Sequence, residues 1–345
     1  MATAQWGATF EDNDKKVLAF ASTLQSVTLT RSLNAPAEVE GTLALEGADT
    51  KALFDQIATE AVYLRLAANG TTRFFGVLTD LQASLADDAT VSVRFGDLAV
   101  QYATVYPFNQ NGSVYLAPTY VASHNSIVDS ALGASGVRLP LTRSGSVTST
   151  RTFAADGMAS LDILSQLAEL QNGIEWYVDP TGTTADQTFL MAGELGSDKS
   201  ATVRFQYGAG RATVPSATVQ YLPPRNRVWT SKENSIYSRT LTDSTSITNF
   251  GAYHTIVQEL ETGAATESDV ADQRLRTSWR RIVELSLEPS VCPRPWTDFN
   301  LGDKVGIDLT TTGLSLSTAQ RINQITISLD DQLVESEITI GSEVI

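Results

Sequence analysis

Histidine and cysteine are almost absent from this chain of 345 residues, which holds two of the first, His124 and His254, and one of the second, Cys292. A single thiol excludes an internal disulfide. Cys292 lies among apolar and proline residues, where it reads as a small buried hydrophobe. Neither histidine falls in a metal-ligand spacing, and both read as structural or surface residues. Ser123 beside His124 is no nucleophile–base pair, because side chains adjacent along the chain do not face each other. Cations are also scarce: 24 Lys and Arg against 39 Asp and Glu leave a net charge of −15. That balance argues against sequence-independent binding to nucleic acid, which needs clustered cations to release counterions. No apolar run approaches the roughly 20 residues that cross a bilayer. The first residues lack the basic-then-apolar order of a secretory signal, so folding in a reducing cytoplasm is expected.

The usual signatures of chemistry are missing too. There is no nucleotide-binding loop, dinucleotide fingerprint, zinc spacing or nucleophile elbow. Residues 208–211 (GAGR) are glycine-rich but read as a turn. Residues 11–14 (EDND) resemble part of a calcium loop without its glycine or closing glutamate. Carboxylates pair at Glu38/Glu40, Asp87/Asp88, Glu259/Glu261 and Asp330/Asp331. A glycosidase needs two carboxyls across a cleft, and solvated turns are the better account of at least the second and fourth pairs. No catalytic, cofactor or metal residue is assigned, and no cofactor is expected.

What the chain does have is an end that repeats its beginning. Residues 76–88 (GVLTDLQASLADD) and 90–97 (TVSVRFGD) correspond to 320–331 (QRINQITISLDD) and 335–343 (ESEITIGSE). Leu78, Leu81, Ala83 and Leu85 match Ile322, Ile325, Ile327 and Leu329. Val93, Phe95 and Gly96 match Ile338, Ile340 and Gly341 after a one-residue slip in the turn. The preceding strand aligns Val62, Leu64 and Leu66 with Val305, Ile307 and Leu309. An arrangement of two like β units around a dissimilar middle suits a part that must offer nearly the same surface twice.

Composition and periodicity place the boundaries. Alternation over 38–45 predicts a half-buried strand, 51–57 a short helix, and Asn69-Gly70 a hairpin turn. A turn-rich stretch at 106–112 closes this first β domain, residues 1–104. The middle, 105–222, reads as a small α+β domain. It has helices at 125–132 and 160–170, the second with Ser160 as N-cap and Gly173 as left-handed C-cap, then a hairpin over 173–192. Leu222-Pro223-Pro224-Arg225 marks the second boundary. Residues 223–345 begin with a strand at 226–231 and a helix over 268–279, then return to alternation at 280–287. Tyr102, Tyr106, Phe108, Tyr115 and Tyr120 cluster between the first two domains, where an interdomain core, a sugar-stacking surface or a subunit contact all fit; Tyr106, Phe108, Tyr115 and Tyr120 are the candidate interface residues.

The order of segments resembles the central baseplate hub, or tail-tip minor tail protein, of long-tailed bacteriophages, within the tail-tube and hub superfamily. Residues 32–36 (SLNAP), 74–82 (FFGVLTDLQ), 160–182 (SLDILSQLAELQNGIEWYVDPTG), 249–253 (NFGAY) and 301–309 (LGDKVGIDL) carry the likeness. The resemblance implies a mainly β chain, with two similar tube-like antiparallel β domains flanking a smaller α+β domain. It implies a non-enzymatic virion protein at the tail tip, assembled in the host cytoplasm. Three copies would form a ring of six similar units that continues the tail tube and lets DNA pass without specific binding. Implied partners are the distal tail protein, the tape-measure protein and receptor-binding tip proteins. With the chain ending at Ile345, wall-degrading or receptor-binding activity is expected on another protein. The alternatives are a distal tail protein, which would normally carry one tube-like domain, and a cell-wall or glycan hydrolase of the tail tip.

Overall fold

The computed structural model describes residues 4–20, 24–44, 48–84, 90–107, 120–133, 137, 141–153, 158–170, 173–181, 187–208, 213–232, 235–258 and 271–343. The fold is mainly β, with helices confined to short connections and to the middle of the chain. The first stretch contains β1 (Trp6–Glu11), β2 (Val17–Phe20), β3 (Gln25–Ser32), β4 (Glu38–Ala44), α1 (Ala48–Ile57), β5 (Tyr63–Ala68), β6 (Thr71–Ser84) and β7 (Thr90–Asp97). A 3-10 turn (Leu98–Ala103) leads to the middle elements: β8 (Tyr120–Ser123), α2 (His124–Leu132), β9 (Thr142–Ser144), β10 (Thr150–Phe153), α3 (Ser160–Ala168), β11 (Glu175–Asp179) and β12 (Thr188–Ala192). Next come β13 (Arg204–Tyr207), β14 (Ser216–Leu222), β15 (Arg227–Lys232), β16 (Ser235–Thr242), α4 (Ser244–Phe250) and β17 (His254–Gln258). The chain closes with β18 (Arg280–Leu287), β19 (Lys304–Thr310), β20 (Ser315–Leu329) and β21 (Glu335–Glu343).

Thirteen strands join in one sheet, and its order exposes the duplication. One part reads β3-β4-β7-β6-β5 and the other β14-β18-β21-β20-β19, with every neighbouring pair antiparallel. The two orders are the same. Both units also carry a β-bulge at one place, between Leu78 and Asp80 in β6 and between Ile322 and Gln324 in β20. That shared irregularity fixes Leu78 against Ile322, the match expected from sequence. The flanking strands need correction. Leu81 faces Val93 and Ile325 faces Ile340 across their hairpins, so Val93 corresponds to Ile340 rather than Ile338. Likewise Leu64 lies opposite Gly76 and Val305 opposite Gln320, so Leu64 corresponds to Val305. Both errors are two residues long. A one-residue slip would turn every side chain to the wrong face, whereas a two-residue slip preserves the pattern and leaves no trace in it.

Within the chain the units meet through β3 and β20, with Leu29 opposite Ile327 and Thr30 opposite Thr326. The second half of β20 therefore has β21 on one side and β3 on the other. One apolar core runs beneath the sheet across this joint, through Val39, Phe95, Leu29, Ile325, Ile327 and Ile340. A second core collects α2, α3, β11 and β12 around Trp176 and Phe189, and it extends to Tyr63 and Phe75 of the first unit. The hairpin at Asn69-Gly70 forms as expected, with φ of 49° and 78°. β13 and β14, which end at Tyr207 and Leu222, are laddered into the second unit. Between β14 and β18 lies a separate three-stranded sheet of β15, β16 and β17.

Three local expectations fail for identifiable reasons. Ala159 is the N-cap of α3, with no side-chain capping bond, while Ser160 is already helical and donates its N–H to Val105 O. Gly173 is not left-handed; a Cβ there would stand 2.1 Å from Leu167 O, so close approach of the helix end is what requires glycine. The helix expected over 268–279 is helical at 271–274 among the described residues and has ended by Leu275. Arg276 then exchanges both backbone hydrogen bonds with Arg225, which holds the chain extended.

Candidate functional site

Side chains alternate across a strand, so the apolar residues that fill the core leave a polar face on the other side of the sheet. Counting along the ladders, that face carries Glu38 and Glu40 of β4, Asp80 of β6, Arg94 of β7, Glu284 of β18 and Glu337 of β21. Around the joint these are five carboxylates and one cation, with Arg94 paired to Glu40. Further along, the same face of β18 to β21 carries Arg280, Lys304, Asp308, Arg321 and Glu343, Arg280 being paired with Glu343. Around the five carboxylates stand short neutral groups: Thr28 and Thr30, Gln82, Ser92, Thr218 and Gln220, Ser286, Thr326 and Thr339. Glu337 accepts a hydrogen bond from Ser286 Oγ, and the Thr30 and Thr326 hydroxyls meet at 3.3 Å across the joint between units. This surface spans both repeats, and it is acidic about the joint between them. It can repel a polyanion.

Behind the same joint lies a buried cationic stack. The Arg31 side chain, 2% exposed, sits 5.3 Å from the Tyr177 ring and 5.7 Å from the Trp296 ring, and it donates to Val178 O at 3.0 Å. Arg73 covers Trp296 at 4.9 Å. Burial lowers the Arg31 pKa below its ordinary value, opposed by Tyr177, Asp179 and Asp97. Trp6 Nε1 donates to Glu335 at 3.1 Å, and Glu335 also pairs with Arg294. First unit, middle part and second unit converge here. Nothing in the sequence pattern pointed to it, because its members are far apart along the chain.

Asp97 holds a second buried position. Its carboxylate accepts from Ala37 N at 2.7 Å and Ala99 N at 2.8 Å, which caps the 3-10 turn and ties it to the β3–β4 connection. Burial pushes its pKa up to about 7, against those two N–H groups and the charge of Arg31.

The residues singled out from sequence are placed as follows. Tyr106 is 42% exposed. Phe108 and Tyr115 lie outside the described residues, and Tyr120 pairs with Phe153 through the β8–β10 ladder. Tyr102 does not accompany them at a surface; it is buried in the second core and its hydroxyl donates to Leu132 O. His124 is buried at the start of α2, and exposed His254 lies against Trp229, ring centroids 4.6 Å apart. Glu38 and Glu40 share the polar face, whereas Asp330 closes a turn by accepting from Gln332 N and Val334 N. Asp12 does the same for Asp14 N and Lys16 N. Asp87/Asp88 and Glu259/Glu261 lie outside the described residues. Among the described residues no group of three or more His, Cys, Asp and Glu is placed to hold a metal ion. No described helix is long and apolar enough to cross a membrane. Cys292 is buried, and burial pushes its thiol up to about 11. A thiol so placed is expected to ignore an aromatic disulfide reagent at pH 8 in the folded protein and to react once per chain in denaturant. Rapid labelling of the native protein would contradict this.

Neither a protein-family model nor a curated protein matches the sequence. Solved structures do match the fold. The 43 kDa tail protein of prophage MuSo2 from Shewanella oneidensis superposes with a TM-score of 0.62 at 14% identity, covering 99% of this chain and 96% of that one. The tail protein from Neisseria meningitidis MC58 gives 0.62 at 9% identity, covering 98% and 96%. The chain has a tail-protein fold. A third match is the Escherichia coli c3393 protein, at a TM-score of 0.51 and 12% identity, covering 92% and 73%. That protein is described as a component of the type VI secretion system with structural similarity to the bacteriophage T4 tail proteins gp27 and gp5. The mainly β, tail-protein fold expected from the sequence resemblance is therefore the fold observed.

Proposed function

We propose that the chain is a structural, non-enzymatic component of a bacteriophage tail, acting as the central hub of the tail tip. The observation that carries this reading is the duplicated unit: two five-stranded arrangements of one order, joined edge to edge in a continuous sheet. A part with that internal repeat can build a six-unit ring from three copies, matching a six-fold tube while having only three-fold symmetry. In this reading the acidic polar face lines the channel. Around the joint between the units, five carboxylates and one paired arginine repel passing DNA, and the cations further along the same face, Arg280, Lys304 and Arg321, are each paired with a carboxylate. A distal tail protein would normally carry one such unit, so the second unit favours the hub. Distal tail, tape-measure and receptor-binding proteins are the proposed neighbours, and the virion tail tip the proposed location, reached after assembly in the host cytoplasm. The three-part division at 104 and 222 belongs to the same proposal, with the ladders of β13 and β14 favouring an earlier second seam.

A three-fold-averaged map of intact tails is the test. The expected result is three copies at the tip, six β units around one channel, and Glu40, Asp80, Glu284 and Glu337 facing its lumen. A chain found elsewhere in the particle, or a lumen lined mainly by Arg and Lys, would overturn it.

A further inference from the structure

The two units are alike in strand order but not in what covers them, and the difference falls on two open strand edges. In the second unit the far half of β20 is covered by β3, and Ile325 and Ile327 are each 1% exposed. In the first unit the far half of β6 ladders only with β7 among the described residues. There the corresponding Leu81 is half-buried and Ala83 exposed. The converse holds for the strand that does the covering. β3 lies between β4 and β20, with Leu29 1% exposed, whereas its counterpart β14 ladders only with β18 and ends the sheet. Along β14, Val219 is half-buried and Tyr221 is 48% exposed. One open edge thus lacks a β3-like strand, and the other is a β3-like strand without its partner.

We propose that β14 of one copy adds to the open edge of β6 in the next copy, antiparallel and with Ala83 opposite Val219, repeating between chains the β3–β20 joint within each chain. The register follows from the ladders. Thr30 sits opposite Glu38 and Gln220 opposite Ile282, and the two pairs occupy one place in their units. Gln324 to Ser328 pair with Ser32 to Thr28 inside the chain. Transferred to the open edges, that register sets Asp80 against Leu222, Leu81 against Tyr221, Gln82 against Gln220, and Ala83 against Val219. The chemistry agrees at three of the four pairs, the exception being Asp80 with Leu222 at the end of the joint, where Gln324 meets Ser32 within the chain. Ala83 with Val219 stands for Ile327 with Leu29, and paired amides stand for the paired hydroxyls of Thr326 and Thr30 on the polar face. Tyr221 supplies a large ring over Leu81 where Arg31 covers Ile325. Main-chain hydrogen bonds at both edges are satisfied in one step, which also removes two templates for aggregation. The contact is head-to-tail, so it closes a ring when the turn between units suits three copies. It rests on the hub reading for that number alone.

Paired cysteines in the full chain test the joint. Neighbouring pairs in an antiparallel ladder alternate between about 5.5 and 4.5 Å in Cα separation, within disulfide reach. Gln82→Cys with Gln220→Cys, and Ala83→Cys with Val219→Cys, are examined in concentrated protein and in tails assembled from the variants. After oxidation, at least one matched pair is expected to give covalent dimers and trimers on a non-reducing gel. Ala83→Cys with Tyr221→Cys, two residues out of register, is expected to stay largely monomeric. A second variant, Ala83→Lys, changes an exposed residue of the single chain; it should melt like the wild type but weaken self-association at least tenfold. A three-copy ring seen by native mass, with neither matched pair cross-linking, overturns the joint and leaves the hub reading standing. Matched cross-links in open polymers uphold the joint and overturn the three-copy ring. Chains that never associate, alone or in tails, overturn both.

Discussion

Replacing Gly302 with alanine is expected to unfold the second unit at denaturant concentrations the native chain survives, at a cost of about 3 kcal/mol or more. Two effects add. Gly302 has φ of +85°, a conformation that costs an L side chain about 1–2 kcal/mol. A Cβ would also stand 2.5 Å from Leu195 O, a backbone atom that no rotamer change can remove. The opposing loop has no slack, because Gly196 has φ of +88° and its own Cβ would meet the Gly302 carbonyl carbon at 2.2 Å. This crossing is held from both sides. Gly302 N donates to Ile322 O at 2.8 Å, and Asp303 accepts from Ser197 N at 2.8 Å while its carboxylate pairs with Lys199 at 3.0 Å. Gly313→Ala is the control, since nothing lies within 4 Å of the added methyl and φ there is not positive. It should move the urea midpoint little. Equal midpoints for the two variants would show that the crossing yields and the loops are not tightly packed.

That crossing also marks where sequence reading reaches and where it stops. The residues of the LGD segment were visible as a marker of the repeat, but not what they touch, because Leu195 and Gly196 are more than 100 positions earlier. Local rules did well where the cause is local. Asn69-Gly70 makes its hairpin because both residues tolerate positive φ, and the alternation over 38–45 faces the core at Val39 and Leu43. They failed where a local preference competes with a tertiary one. Ser160 is a good capping residue by type, yet its N–H is taken by Val105 O and the cap moves back to Ala159. α4 was missed although Asp243 caps it by accepting from Ser246 N, because its exposed, Ser- and Thr-rich stretch has no apolar stripe. The repeat was legible because periodicity survives insertion. Its register was not, because a period of two hides an even slip. The polar face was foreseeable as a surplus of carboxylates, but its membership depends on ladders that join strands hundreds of residues apart. For the candidate aromatic residues the signal was composition alone, and composition does not separate Tyr102, which is buried, from Tyr106, which is exposed.

Asp97→Asn is expected to gain stability relative to the wild type as pH rises, with the gain building up between pH 4 and pH 7. Burial, the largest influence, raises the Asp97 pKa from 3.8 to about 7 in the folded chain. Between those two values the unfolded chain has released a proton that the folded chain still holds. Folding then binds protons, so stability falls as pH rises through this window and levels off above pH 7. Each unit is worth about 1.4 kcal/mol, which makes the whole effect on the order of 4 kcal/mol. Other carboxylates pull the opposite way. Asp308, held below the usual range by Ser317 and Arg204, stabilises the fold as pH rises, so the slope of the wild type alone does not isolate Asp97. The difference from Asp97→Asn does. Asparagine keeps the shape of the protonated acid, with one acceptor for Ala37 N or Ala99 N, and does not titrate. At pH 4 the variant should be the less stable by about 1–3 kcal/mol, because its NH2 group cannot accept from one of the two backbone N–H donors. By pH 8 the variant should have gained several kcal/mol on the wild type, read from urea midpoints at each pH. The competing account is that the two backbone N–H donors, at 2.7 and 2.8 Å, outweigh burial and keep the carboxylate ionised throughout. The variant would then lose stability relative to the wild type as pH rises, with the opposite sign. The slope of one difference curve therefore decides whether the cap between the first unit and the middle of the chain is a neutral acid or a buried charge.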